Sequence, residues 1–292
     1  MRVGPDLRWP GILAAVALMA IAGCTRPALL PPKALALNRE GAQALAGGNL
    51  ELAEARVALA LEYNPRFTEA WVNLGLVEMR RGHIERARRD FLKARELNPD
   101  LPAPHHALGL LSEREGHLEE AERRYRAALK VDPGFAPARI NLARILFDRS
   151  NMDEAREQFL RLTQVAPEFA EGWTGLCETL FRLDRTDEVD DVVARARRQL
   201  GRLTELDILE ARGLLRAGAF REAERRLEPL ASTADPKQAS RAAAWLAIAR
   251  LAAGHLEAAT AAAELAMSLD PDDRVATYAS EAVREARVRV VQ

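Results

Sequence analysis

The chain has only two cysteines, Cys24 and Cys177, so no disulfide framework holds it together. It has no excess of either charge: 42 Lys and Arg stand against 43 Asp and Glu, a net charge of −1. That balance gives no basic face of the kind nucleic acid requires, and no nucleic-acid partner is expected. There is no HExxH, no paired CxxC, no glycine-rich phosphate loop and no GxSxG. No catalytic constellation, metal site or cofactor is therefore expected. A membrane-spanning helix needs roughly 20 apolar residues, and the longest apolar stretch, Gly11 to Ala22, is shorter than that. What is present is 48% hydrophobic and 29% charged residues, too apolar for a disordered chain. Ala, Leu, Arg and Glu dominate, which is helix-forming composition.

The short apolar stretch has a charged start, Arg2 and Arg8, and the ending Ile21-Ala22-Gly23-Cys24. Its length suits a signal-peptide core. The ending resembles the bacterial lipobox, in which an aliphatic and two small residues precede the cysteine. That resemblance implies a signal peptide over 1–23 and a mature chain that starts at acylated Cys24. Removing 1–23 takes away two arginines and one aspartate, so the net charge moves from −1 to −2. Several acyl chains would anchor firmly where one alone binds marginally. Thr25, in place of the aspartate that favours inner-membrane retention, implies an outer-membrane address on the periplasmic side. Residues 24–33 follow as a tether with three prolines, Pro27, Pro31 and Pro32. In the polyproline form such a tether reaches on the order of 25–30 Å.

Beyond it, Pro65, Pro99, Pro133 and Pro167 recur every 34 residues. A fixed period of this size marks a repeat array. With each proline at position 32, small residues fall at positions 8, 20 and 27, where paired helices approach closely. Glycine falls near position 15, at the turn between them. The block holding Trp71, Leu74, Gly75, Gly82, Ala87, Phe91, Ala94 and Pro99 resembles the tetratricopeptide repeat (TPR) at its signature positions. The next block matches with Leu108, Gly109, Gly116, Ala121, Tyr125, Ala128 and Pro133. The resemblance implies an all-α, right-handed superhelix of helix-turn-helix repeats. Seven repeats are read over 34–67, 68–101, 102–135, 136–169, 170–203, 204–239 and 240–273, with a capping helix over 274–292. The fifth has Gly201 where proline is due, and the seventh follows a two-residue slip.

Three histidines, His83, His117 and His255, follow turn glycines and read as turn residues. His105 and His106 are adjacent on a first helix, where neighbours do not share a face, so they make a poor two-ligand metal site. Cys177 occupies position 8 and reads as a small buried residue.

In TPR proteins the first helix of each repeat lines the concave groove. Carried over by position, the groove would use Asn38, Val72, His106, Ile140 and Ile208 at position 5. Leu76, Leu110, Arg144 and Arg212 stand at position 9, and Leu45, Met79, Phe147, Phe181 and Leu215 at position 12. These form a largely apolar trough suited to a partner's helix or extended segment, with Phe147 and Phe181 as aromatic anchors. The terminal-carboxylate clamp of chaperone-binding TPR proteins is absent, because Asn38, Ala42, Ala103 and Ala107 surround Asn73.

Lipobox, tether and repeats together resemble the pilotin-like lipoproteins of type IV and tight-adherence pili, which help a secretin subunit reach or assemble in the outer membrane. The expected function is an anchored scaffold for protein partners, a secretin among them. Adaptors for cell-wall hydrolases or proteases, and scaffolds of polysaccharide-export or gliding-motility complexes, share the layout.

Overall fold

A computed structural model describes residues 31–291, and every regular element among them is helical. Among the described residues fifteen α-helices follow one another, seven successive pairs and a last single helix. They are α1 (Pro32–Ala46), α2 (Leu50–Tyr63), α3 (Thr68–Arg80), α4 (Ile84–Leu97), α5 (Pro102–Arg114), α6 (Leu118–Val131), α7 (Ala136–Asp148) and α8 (Met152–Val165). Then come α9 (Ala170–Arg182), α10 (Val189–Leu200), α11 (Thr204–Arg216), α12 (Phe220–Leu227), α13 (Pro236–Ala252), α14 (Leu256–Leu269) and α15 (Arg274–Val291). The chain forms two compact units, one up to Arg149 and one from Ser150. Residues 1–30, which hold the expected signal peptide, Cys24 and most of the tether, lie outside the described residues.

One turn closes the first helix of each pair. After α3, Gly82 N–H donates to the Met79 carbonyl at 3.1 Å and His83 N–H to the Glu78 carbonyl at 2.9 Å. This crossed pair of bonds satisfies two carbonyls that the helix end leaves open, and it puts the residue between them in the left-handed region. Gly48, Gly82, Gly116, Gly218 and Gly254 take that position with φ of 77 to 84°. Ser150 and Asp184 hold it without glycine, at φ 63° and 58°. Second helices end differently. Asn64, Asn98, Asp132 and Asp270 turn extended just before a proline, as the proline ring demands.

In two hairpins of unit one the core is a glycine under an aromatic ring. Phe91 and Tyr125 at position 24 lie over Gly75 and Gly109 at position 8, and both rings are fully buried. Ala53, Ala87 and Ala121 at position 20 are fully buried at the contact between paired helices. Cys177 is likewise buried, and burial pushes its thiol up to about 12, so at neutral pH it is a packed thiol.

Two helix starts depart from the sequence reading. α1 begins at Pro32, inside the stretch read as tether, because proline is well suited to a first helical turn, where its missing N–H is not needed. α13 begins at Pro236, ahead of Ser240, because the Asp235 side chain accepts from the Lys237 and Gln238 N–H groups and caps the helix there. The preceding α12 is short: Pro229 cannot supply an α-helical hydrogen bond, and the chain tightens into a 3₁₀ turn over Glu228–Ser232.

Candidate interaction face

Most of the residues expected to line an open trough are buried. Asn38, Leu45, Val72, Leu76, Met79, His106, Ile140, Phe181 and Ile208 are each 5% exposed or less. The expectation that they form an exposed apolar groove is therefore corrected: they are packing residues. Leu110, Arg144, Phe147, Arg212 and Leu215 keep partly exposed surface. The physical reason is visible in unit one, where α3 packs on α1 and α5 on α3, so one side of each first helix serves as an interface to its neighbour.

The polar members of the set make that interface specific. Asn73 Nδ2 donates to Asn38 Oδ1 at 2.8 Å, and Asn141 Nδ2 donates to His106 Nε2 at 2.8 Å. Both pairs join position 5 of one repeat to position 6 of the next. Arg114 extends the coupling by donating to the Met79 carbonyl at 2.6 Å, and Arg80 donates likewise to the Leu45 carbonyl. Buried amides with partners cost little, whereas the same groups unpaired would cost about 1–3 kcal/mol each.

His106 is fully buried between the Tyr125 and Phe135 rings, with ring centroids at 5.5 and 5.6 Å. Burial drives it down to about 3, so the ring is neutral and Nε2 is an acceptor. The unfolded chain takes up this proton near pH 6.5 and the folded chain only near 3. Stability from His106 is thus complete above pH 6.5 and falls as pH drops through the window, by about 1.4 kcal/mol per unit. Between pH 7 and pH 5 the wild type should lose about 2 kcal/mol more than His106→Asn in urea unfolding. Equal losses would show that His106 is not held neutral. The adjacent His105 does other work, through a 3.2 Å hydrogen bond from Nε2 to the Pro99 carbonyl. Among the described residues no three His, Cys, Asp or Glu side chains gather as they would around a metal ion.

Charged groups organise the half-exposed part of the face. In unit one, Glu113 accepts from the Tyr125 hydroxyl at 2.8 Å and from Arg144. Burial, then the Glu113 carboxylate, raises Tyr125 well above its usual value, so the phenol stays a donor. In unit two, Arg212 Nη2 donates to Glu178 Oε2 at 2.9 Å, and Nη1 donates to Oε1. The same guanidinium lies between the Phe181 and Trp245 rings, 4.5 and 4.6 Å from their centroids. Two aromatic faces and a two-pronged carboxylate fix this side chain in one orientation. Trp245 stands at position 6 of its repeat, outside positions 5, 9 and 12 from which the groove was read in the sequence.

Two tetratricopeptide-repeat family models match, one over residues 68–101 and one over residues 114–174. Over those residues the chain carries tetratricopeptide repeats. A tetratricopeptide repeat protein from Parabacteroides merdae is similar in structure at 17% identity, over 86% of this chain and 99% of that one, with a TM-score of 0.59. PilF of Pseudomonas aeruginosa is similar at 19% identity, over 72% of this chain and 95% of that one, with a TM-score of 0.57. No curated protein sequence matches. TPR helices of this kind present side chains for protein–protein contact, and here Arg144, Arg212, Leu110, Leu215 and Trp245 are among those with surface to offer. Among the described residues no helix is long and apolar enough to cross a membrane.

Proposed function

We propose that this TPR chain is a lipoprotein held at the periplasmic face of the outer membrane through Cys24, and that its repeats form a scaffold on which an envelope machine is assembled. Assembly of a pilus secretin is the specific role we assign. The observation that carries the reading is the lipobox Ile21-Ala22-Gly23-Cys24 set shortly before the first TPR helix, which starts at Pro32. A short tether keeps the repeats near the membrane and raises the local concentration of a membrane-bound partner, with no chemistry required. The likeness in fold to PilF is consistent with the role. The half-exposed side chains of the first helices supply the contact face, with Arg212 and Trp245 as the fixed elements in unit two.

The role is tested in cells lacking the protein. Secretin multimers in the outer-membrane fraction should fall and unassembled subunits should accumulate. Restoring the wild-type chain, but not Cys24→Ser, should reverse both changes. Unchanged multimers would remove the pilus role, and a protein found solely in the inner-membrane fraction would remove the outer-membrane address.

A further inference from the structure

In four successive repeats the side chain at position 4 plugs one corner. Trp71, His105, Arg139 and Trp173 each donate to the carbonyl of the proline six residues earlier: Pro65, Pro99, Pro133 and Pro167. At the next corner both partners are exchanged. Gly201 stands where the proline would be, and Asp207, at position 4 of the following repeat, carries only acceptor oxygens when ionised. Gly201 has φ 76° and ψ −151°, a region essentially reserved for glycine, and a Cβ there would meet nothing within 4 Å. The plug is thus gone, and an open cavity of about 480 Å³ takes its place, lined by Arg197, Gly201, Arg202, Asp207 and Arg226.

Three guanidinium groups and one carboxylate line this space. Acidic groups hold two of the arginines in place. Arg197 Nη2 donates to Asp207 and, at 2.7 Å, to Glu210, while Arg226 Nη1 donates to Glu210 at 2.5 Å. The Arg226 Nε also reaches Glu222, at 3.4 Å. Arg202 is 84% exposed and touches Asp207 only through Nε, at 3.3 Å. The lining holds three guanidinium groups to one carboxylate, Glu210 and Glu222 offset the charge of Arg197 and Arg226, and Arg202 stands out into solvent; a guanidinium fork matches the oxygens of a phosphate two by two. We propose that this vacated corner is a binding site for a phosphate group, from either free phosphate or a phospholipid headgroup.

The full chain, isotopically labelled, is titrated with sodium phosphate and, separately, with sodium chloride at matched ionic strength. Phosphate should give saturable shifts at Gly201 and the three arginines beyond anything chloride gives. Arg202→Ala combined with Arg226→Ala should weaken binding about tenfold or more. Both side chains are exposed, so circular dichroism of the double variant should match wild type. Vesicles separate the sources. Stronger binding to phosphatidylglycerol than to phosphatidylcholine, lost in the double variant and displaced by phosphate, assigns the headgroup. Saturable phosphate shifts without that vesicle preference assign free phosphate. Phosphate shifts no larger than those of chloride, or unchanged in the double variant, would overturn the proposal.

Discussion

Gly109→Ala should destabilise unit one by about 1–3 kcal/mol, and Gly109→Val by more, although each adds so little volume. A Cβ at Gly109 would stand 2.5 Å from Tyr125 Cε1 and 2.7 Å from Cδ1. The ring cannot yield cheaply, since it is fully buried and its hydroxyl is bonded to Glu113. Backing away would also break that hydrogen bond and disturb His106, which lies against the same ring. An internal control exists in Gly213, in the last turn of α11. A Cβ there meets only Asp190 Oδ1, at an ordinary 3.8 Å. Gly213→Ala should instead stabilise by about 0.5–1 kcal/mol, because glycine inside a helix costs that much in chain entropy. Urea unfolding followed by circular dichroism measures both. A tolerated Gly109→Ala would mean that position 8 is not the close contact of the hairpin.

Phe181→Ala should cost about 3–5 kcal/mol of stability in unit two. On the sequence alone this ring is a candidate anchor for a partner, and its truncation would then weaken binding while sparing the fold. The structure leaves it 4% exposed with the Arg212 guanidinium over its face, so the ring is core. Its loss opens a cavity and strips one of the two aromatic faces that hold Arg212. Leu215→Ala, on a half-exposed side chain of α11, should cost far less. Thermal unfolding of the two variants side by side decides the matter. A Phe181→Ala variant that melts like wild type would return the ring to the binding surface.

The fold was legible because its constraints repeat. A glycine at position 8, an alanine at position 20 and a ring at position 24 form one contact, written again every 34 residues in Gly75, Ala87 and Phe91 and in Gly109, Ala121 and Tyr125. The face was less legible because one helix has two sides to satisfy. Positions 5 and 12 have no partner within a single repeat, yet stacking covers Val72 and Met79. A signal for this existed: Asn38 with Asn73, and His106 with Asn141, are polar pairs 35 residues apart, the spacing of neighbours in adjacent repeats. Ser150 and Asp184 were harder, since nothing in either residue announces the left-handed turn that the register imposes on it. A non-glycine residue there costs about 1–2 kcal/mol.

The central claim is that the repeats hang from a lipid at Cys24, and metabolic labelling with an alkyne fatty acid tests it most directly. Only the cysteine thiol can form the thioether to diacylglycerol, so wild type should take up label and migrate as the processed form. Cys24→Ser should take up none and remain as precursor. Label in Cys24→Ser equal to that in wild type would contradict the account.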